Sequence, residues 1–414
     1  MLRLSKGKRA TGTIKGSPED FKVEEIASNG IVLKIGQHYT AAELGFQEAP
    51  EGQFTVFIMQ KTGWNTAQAL KSVAQRANRG LKSVGFAGTK DRMSQSTQLC
   101  SIFGPEPAQI SNIKIKDIAI NGAWKSDSKV ELGMLAGNRF TITVRNATDT
   151  DSIDKNAGEL GGIFPNYFGE QRFGSRKNNF DVGLAILKGD FEGAVMRFLT
   201  DTSNETNEEA IAVRKRLADE RDFTEALDYF PIYLKYERSV LEYLSKSERN
   251  FANSLKKLPR SITLMFVHSV EASIFNSELE EMIKAGHTAP ENGDMVCPLD
   301  KIRFYDLSKT AKYEKGASGF LTGNIIGHET KDLTDFEKEA LEKLGLTTES
   351  FRVKGMRELD CKGTQRVFFA PFGGFESKIA DGNPTLSFSL PSGAYATVLL
   401  DELIEQGNKD KYED

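Results

Sequence analysis

Apolar and polar positions change their rhythm several times along this chain, and each change predicts an element. Phe54-Thr-Val-Phe-Ile-Met-Gln60 is a short apolar run followed by Gly63, which predicts a buried strand. From Thr66 the rhythm becomes helical, with Ala67, Leu70, Val73, Ala74 and Ala77 on one stripe. Thr66 is the expected N-cap and Gly80 the expected stop. Ser83-Val-Gly-Phe-Ala87 predicts the next strand, so strand, helix and strand deliver residue 91 at a strand end. A further strand is expected over Thr97 to Phe103. Ile113 to Lys116 and Phe140 to Val144 alternate, as strands with one wet face do. Ser152 to Leu160 predicts a helix ending at Gly161-Gly162. The first third therefore reads as α+β with a largely antiparallel sheet.

The rhythm shifts after about residue 176. Residues 201 to 260 are charged and helix-like. Leu264 to Ala285 carries a long helical stripe of Phe266, Val270, Ile274, Phe275, Leu279, Met282 and Ile283. Thr334-Asp-Phe-Glu337 is a capping box opening another helix. Sheet character returns near the end, where Thr385 to Leu390 alternates, Pro391-Ser-Gly turns, and Tyr395 to Glu405 predicts a helix stopped by Gly407. At 414 residues two domains are expected. The division predicted is 1–175, a helix-rich block over 176–365, and 366–414 rejoining the first part.

Composition narrows the chemistry. Hydrophobic content is 39%, enough for two cores, and the start of the chain has no apolar segment of the signal-peptide kind. No run approaches the roughly 18 apolar residues of a membrane helix. Cys100, Cys297 and Cys361 have no CxxC spacing, and four scattered histidines give no metal motif. The expectation is a cytosolic protein without membrane segment, metal or cofactor, and nothing suggests an obligate dimer. The net charge of −4 argues mildly against a nucleic-acid partner. Yet Lys71, Arg76, Arg79, Lys82, Lys90 and Arg92 face a single acid, Asp91, between residues 65 and 92. Phosphate binding depends on such local cations.

Asp91 is the candidate around which the rest arranges itself. It sits in Gly85-Phe-Ala-Gly-Thr-Lys90-Asp91-Arg92, a carboxylate between two cations, which favours its ionised form. An ionised, aimed carboxylate can act as a nucleophile. Alone, Lys-Asp-Arg after a strand reads as a solvated turn. Other clusters give it context. Lys15 to Glu25 places Phe21 at the start of a strand. Pro165-Asn-Tyr-Phe-Gly-Glu-Gln-Arg-Phe-Gly174 packs aromatics, amides and Arg172 between glycines, a composition suited either to a buried loop or to a pocket for a planar polar ligand. Leu390-Pro-Ser-Gly-Ala-Tyr395 opens a helix. His268 lies on a helix stripe and is expected to be structural. No P-loop, GxGxxG or GxSxG is present.

Taken together, these segments resemble the TruD family of tRNA pseudouridine synthases, and the resemblance spans nearly the whole chain. It rests on Pro18-Glu-Asp-Phe21, Ala87-Gly-Thr-Lys-Asp91-Arg92 with Thr97-Gln98, the segment Pro165 to Gly174, Ser273-Ile-Phe-Asn276, and Leu390 to Thr397. Phe351-Arg-Val-Lys-Gly-Met-Arg-Glu-Leu359 looks like the archaeal and eukaryotic branch. The resemblance implies an α+β catalytic domain with a large helix-rich insertion. It implies isomerisation of a uridine in tRNA without cofactor or metal. Asp91 is the implied nucleophile, through ribose C1′ (directly or by way of a glycal) or uracil C6. Lys15 is the implied partner that keeps it ionised. Phe21, Asn166, Phe168 and Tyr395 are the implied contacts of the flipped base, with Lys90 and Arg172 beside them. Tyr395 replaces a phenylalanine of bacterial relatives. Lys71, Arg76, Arg79, Lys82 and Arg92 are expected on the RNA backbone. Position 13 of tRNA is the family's common target, and position 35 is a further expectation for this branch. A non-catalytic RNA-binding or chaperone protein could use the same rings and cations, but it would not need Asp91.

Overall fold

The computed structural model describes residues 1–302 and 304–406. Its frame is an eight-stranded sheet. In chain order the strands are β1 (Phe21–Ala27), β2 (Phe54–Thr62), β3 (Val84–Phe86), β4 (Gln95–Phe103), β5 (Ile118–Ser126), β6 (Leu135–Thr143), β7 (Gly373–Ala380) and β8 (Asn383–Pro391). The spatial order is β7-β8-β6-β1-β4-β2-β5, with β3 on β4. Only β1 and β4 run parallel, Lys22 facing Gln95. The C-terminal hairpin β7–β8 thus completes a sheet begun by the N-terminal residues.

Period-2 alternation sorts the strands onto two faces. Phe21, Val23, Phe140, Ile142, Leu386, Phe388 and Leu390 point to one face and join the main core. Helices α2 (Asp151–Glu159) and α4 (Ala396–Leu403) cover that face, with α1 (Thr66–Arg76) over β2 and β4. Lys22, Glu24, Arg139, Thr141, Ser387 and Ser389 point to the other face and stay half-buried. A polar floor therefore runs across the middle of the sheet.

A second core, built from helices between Asn179 and Leu255 and the segment 341–361, lies in the helix-rich block. Helix α3 (Arg260–Ala285) belongs to both cores: Phe266, Val270 and Ile274 pack in the second, Phe275 and Leu279 in the first. Burying each such side chain contributes about 1.5–3 kcal/mol, so one helix fastens the two cores together. Val296, Cys297, Leu321 and Ile325 also pack in the first core. The expected block 176–365 is thus shared between two cores.

Three local expectations differ from the structure. Asn65, rather than Thr66, caps α1, its Oδ1 accepting from Ala67 N at 2.9 Å. Residues 113–116 form no strand; Asp117, in the left-handed region at φ 63°, turns the chain and the strand follows as β5. Helix α4 ends at Leu403, where Ile404–Gln406 pairs in parallel with Ala10–Gly12. Gly407 lies outside the described residues. Among the described residues no helix is long and apolar enough to cross a membrane.

Candidate active site

The Asp91 loop is built by side chains that grip its backbone. Thr66, at the first turn of α1, accepts from Lys90 N at 2.9 Å and donates toward Lys90 O at 3.2 Å. Gln98 Nε2 donates to Gly88 O at 3.1 Å. Ser94 Oγ and Lys61 Nζ both donate to Asp91 O, at 2.7 and 2.8 Å. Buried polar groups left without partners are costly, so this set fixes the loop in one conformation. Lys61, on β2, is fully buried. Burial pulls its ammonium down to a pKa of about 8; Asp91 opposes the fall and Lys90 adds to it.

The Asp91 carboxylate faces Lys15, Nζ to Oδ2 at 2.8 Å, and stays half-exposed. Lys15 is itself held out of the ordinary. Its backbone occupies the left-handed region at φ 59°, which costs a non-glycine residue free energy and needs support. The support follows in sequence: Asp20 accepts from Ser17 N at 3.0 Å and from Arg145 at 2.6 Å. Arg145 holds the Asp20 carboxyl below the usual range despite its burial. The Phe21 ring then lies beneath Lys15, 4.6 Å from ring centroid to Nζ.

Lys90, expected beside this carboxylate, and Phe21, expected against the base, have other work. Lys90 turns inward to Glu25, Nζ to Oε2 at 2.7 Å, and both are buried. Glu25 also accepts from Leu99 N at 2.9 Å. Removing either member of such a pair costs about 3–5 kcal/mol. The cation that meets Asp91 is Lys15, 76 residues away, rather than its neighbour Lys90. Phe21 is only 3% exposed and packs edge-on against Phe140, so its ring beds Lys15 and is no open stacking face.

The second group gathers around a residue that sequence reading missed, Arg366. Its guanidinium donates to Asn166 O at 3.0 Å, Asn166 Oδ1 at 2.6 Å and Gly393 O at 3.0 Å. It lies 4.3 Å from the Phe168 ring centroid and 5.9 Å from that of Tyr395. Burial among these rings lowers its pKa to about 10, which leaves it cationic at neutral pH. Arg172 also lies over Phe168, at 5.2 Å. The Phe168 backbone is clamped by Asn276 of α3, which accepts from Phe168 N at 2.9 Å and donates to its carbonyl at 3.0 Å. Asn166, expected to meet the base, is 1% exposed and engaged at both ends of its amide, with Arg366 and with Val367 O at 2.9 Å. It positions Arg366.

The strand register orders the segments that carry the two groups. Phe21 faces Ile142 at one end of β6, while Pro391, just before the Tyr395 turn, faces Gly137 at the other. A Cβ at Gly137 would lie 2.1 Å from Leu390 O, so only glycine permits this close crossing. Lys61 pairs with Ser96, which faces Val23, so it points to the face of Phe21 rather than to the polar floor. The Asp91 loop itself starts near the Tyr395 end of β6: a Cβ at Gly88 would lie 3.5 Å from Leu135, and Ser392 N donates to Ala136 O at 3.0 Å.

The family described as tRNA pseudouridine synthase D (TruD) matches residues 2–403. This chain belongs to the tRNA pseudouridine synthase D family. A probable tRNA pseudouridine synthase D of Thermococcus sibiricus is 32% identical, over 97% of this chain and 97% of its own length. One from Methanopyrus kandleri is 33% identical over 92% of each. The crystal structure of the putative tRNA pseudouridine synthase D from Methanosarcina mazei matches with a TM-score of 0.75 at 29% identity, over 97% of this chain and 95% of that one. The α+β architecture expected from the resemblance to the TruD family is the one observed.

The basic residues do not form one face. Lys71, Arg76, Arg79, Lys82 and Arg92 are all exposed. Lys71 and Arg76 are five residues apart on α1, about 140° around it. Arg79 spends its guanidinium on Phe103 O at 3.3 Å and Asn78 O at 3.2 Å, near the end of β4 remote from Asp91.

Proposed function

We propose that this tRNA pseudouridine synthase, an isomerase, converts a flipped-out uridine of tRNA, at position 13, to pseudouridine with Asp91 as nucleophile. The observation that carries the reading is the Lys15–Asp91 pair at 2.8 Å on a loop whose carbonyls at residues 88, 90 and 91 are each held by a side chain. A solvated turn has no need of that scaffolding, and neither has an RNA chaperone.

In the reaction the N1–C1′ bond breaks and a C5–C1′ bond forms. The hydrogen on C5 leaves to solvent and N1 takes a proton. Asp91 adds either to C1′ (or draws the ribose toward a glycal) or to C6 of uracil. Lys15 faces the carboxylate before attack and accompanies it as a leaving group afterwards. Half of the carboxylate faces water before the substrate arrives. The incoming nucleotide must itself close the site, which strengthens the electrostatics within it. Phe168 and Tyr395 offer rings to bases, with Arg366 and Arg172 as cations for the adjoining phosphates. Unstacking the uridine costs a few kcal/mol, and each base stacked on a ring returns roughly 1–3 kcal/mol.

The test is carbodiimide treatment and primer extension on tRNA from cells lacking this gene. The reading expects the stop at position 13 to vanish and to return with the wild-type gene but not with Asp91→Asn. A stop that persists without the gene would refute the assignment to that position.

A further inference from the structure

Three side chains of different chemistry converge on the N-terminal half of α3. His268 and Glu271 are one helical turn apart, Nδ1 to Oε2 at 2.6 Å. Cys361, from the segment that follows the 357–359 turn, brings its sulfur to the same place. The ligand atoms of all three lie within 4.8 Å of one another. We propose that His268, Glu271 and Cys361 form a site for one thiophilic divalent cation of the zinc class.

The donor set is the first argument. Imidazole nitrogen, carboxylate oxygen and thiolate sulfur are zinc ligands, held at about 2.0–2.3 Å. Burial is the second. Glu271 is 3% exposed, and among the described residues its only ion-pair partner is His268. The carboxylate is hydrogen-bonded to the Cys361 thiol, with Arg260 the cation that acts on that thiol, and a buried carboxylate of this kind is a place where a cation would be held strongly. Access is the third. The His268 side chain is 38% exposed, which leaves an entry path from solvent.

The backbone fixes Cys361 independently of any metal. Its N–H donates to Phe351 O at 3.0 Å and its carbonyl accepts from His328 N at 2.8 Å. Arg260, at the start of α3, donates to Glu358 O at 3.0 Å and braces the same turn. A bound ion would staple that turn to the helix shared by both cores. As the metal–sulfur bond forms, the thiol proton leaves to solvent. The site is remote from Asp91 and takes no part in the isomerisation.

The test uses the full chain, stripped with chelator and titrated with cobalt(II), whose thiolate complexes absorb in the near ultraviolet. The proposal expects a charge-transfer band that saturates at one equivalent, disappears on adding zinc, and is absent in Cys361→Ser. His268→Ala, on the exposed side, should keep the fold by circular dichroism and weaken cobalt binding at least about tenfold. Zinc should raise the melting temperature of the wild type and leave that of Cys361→Ser unmoved. No band at stoichiometric cobalt would overturn the site. A band that survives in Cys361→Ser would overturn it equally, because the sulfur would then belong to Cys100 or Cys297.

Discussion

At the scale of single residues, Asp91 matters for where its main chain is held as much as for its charge. Lys61 is the clearest case. Its buried ammonium donates to the carbonyl of Asp91 itself, 2.8 Å away. A displacement of about 1 Å at a reacting group can cost 10²-fold in rate. Lys61→Met should therefore lower single-turnover pseudouridine formation by about 10–100-fold with tRNA affinity unchanged, since Lys61 offers RNA no surface. A normal rate in that variant would show that the loop holds without it. Sequence carried the Asp91 motif but not this support. Nothing local marks a lysine at the end of an apolar strand as a ligand for a carbonyl thirty residues on. The same limit explains Lys90. The sequence shows it adjacent to Asp91, whereas the fold directs it to Glu25 in a buried pair. Arg366 was missed because its partners, Asn166 and Gly393, come from segments distant in sequence.

At the scale of elements, the hydrophobic rhythm served well wherever one face of a strand or helix is buried. β2, β4, α2, α3 and the capping box at Thr334 all lie where periodicity placed them; there Thr334 accepts from Glu337 N at 3.1 Å. It failed at 113–116, where alternation occurs in a turn. It also merged cations that the fold disperses. Lys71, on the second turn of α1, is near the Thr66 end that holds the Asp91 loop. Arg79 is fastened to the far end of β4. Lys71→Glu should weaken tRNA binding and reduce the slope of log affinity against log salt by about one. Arg79→Ala should leave that slope in place and lower the melting temperature instead. Filter binding at several salt concentrations separates the two; equal effects on the slope would place both residues on the RNA path.

At the scale of the whole molecule, α3 joins the cores, and a carboxyl pair sits where it meets the helix opened by the capping box. Glu278 of α3 accepts from Thr334 at 2.7 Å, and Glu337 completes the box. Burial first, and the charge of Glu337 second, push Glu278 up to about 7. Its folded pKa lies above the unfolded value of 4.5. The protonated form is thus favoured by folding, and that contribution fades as pH rises from about 4.5 through about 7. Glu278→Gln, which carries no charge, should stabilise the chain at pH 8 by on the order of 1–3 kcal/mol, with the gain shrinking toward pH 5. Melting curves at both pH values check this; a gain independent of pH would assign the effect to packing. The composition shift after residue 176 marks where the helices of the second core begin. The role of α3 was not visible, because one helical stripe serves two different cores.

The account as a whole depends on covalent or near-covalent participation by Asp91. The most direct measurement is release of tritium from tRNA labelled at C5 of uridine, with purified wild type and Asp91→Asn side by side. Asn keeps the size and the backbone contacts of the loop but cannot attack. The prediction is a loss of at least ~10³-fold in release, with tRNA binding within a few fold of wild type. Tritium released by Asp91→Asn at a rate near that of the wild type would contradict the central claim, whatever the geometry around Lys15.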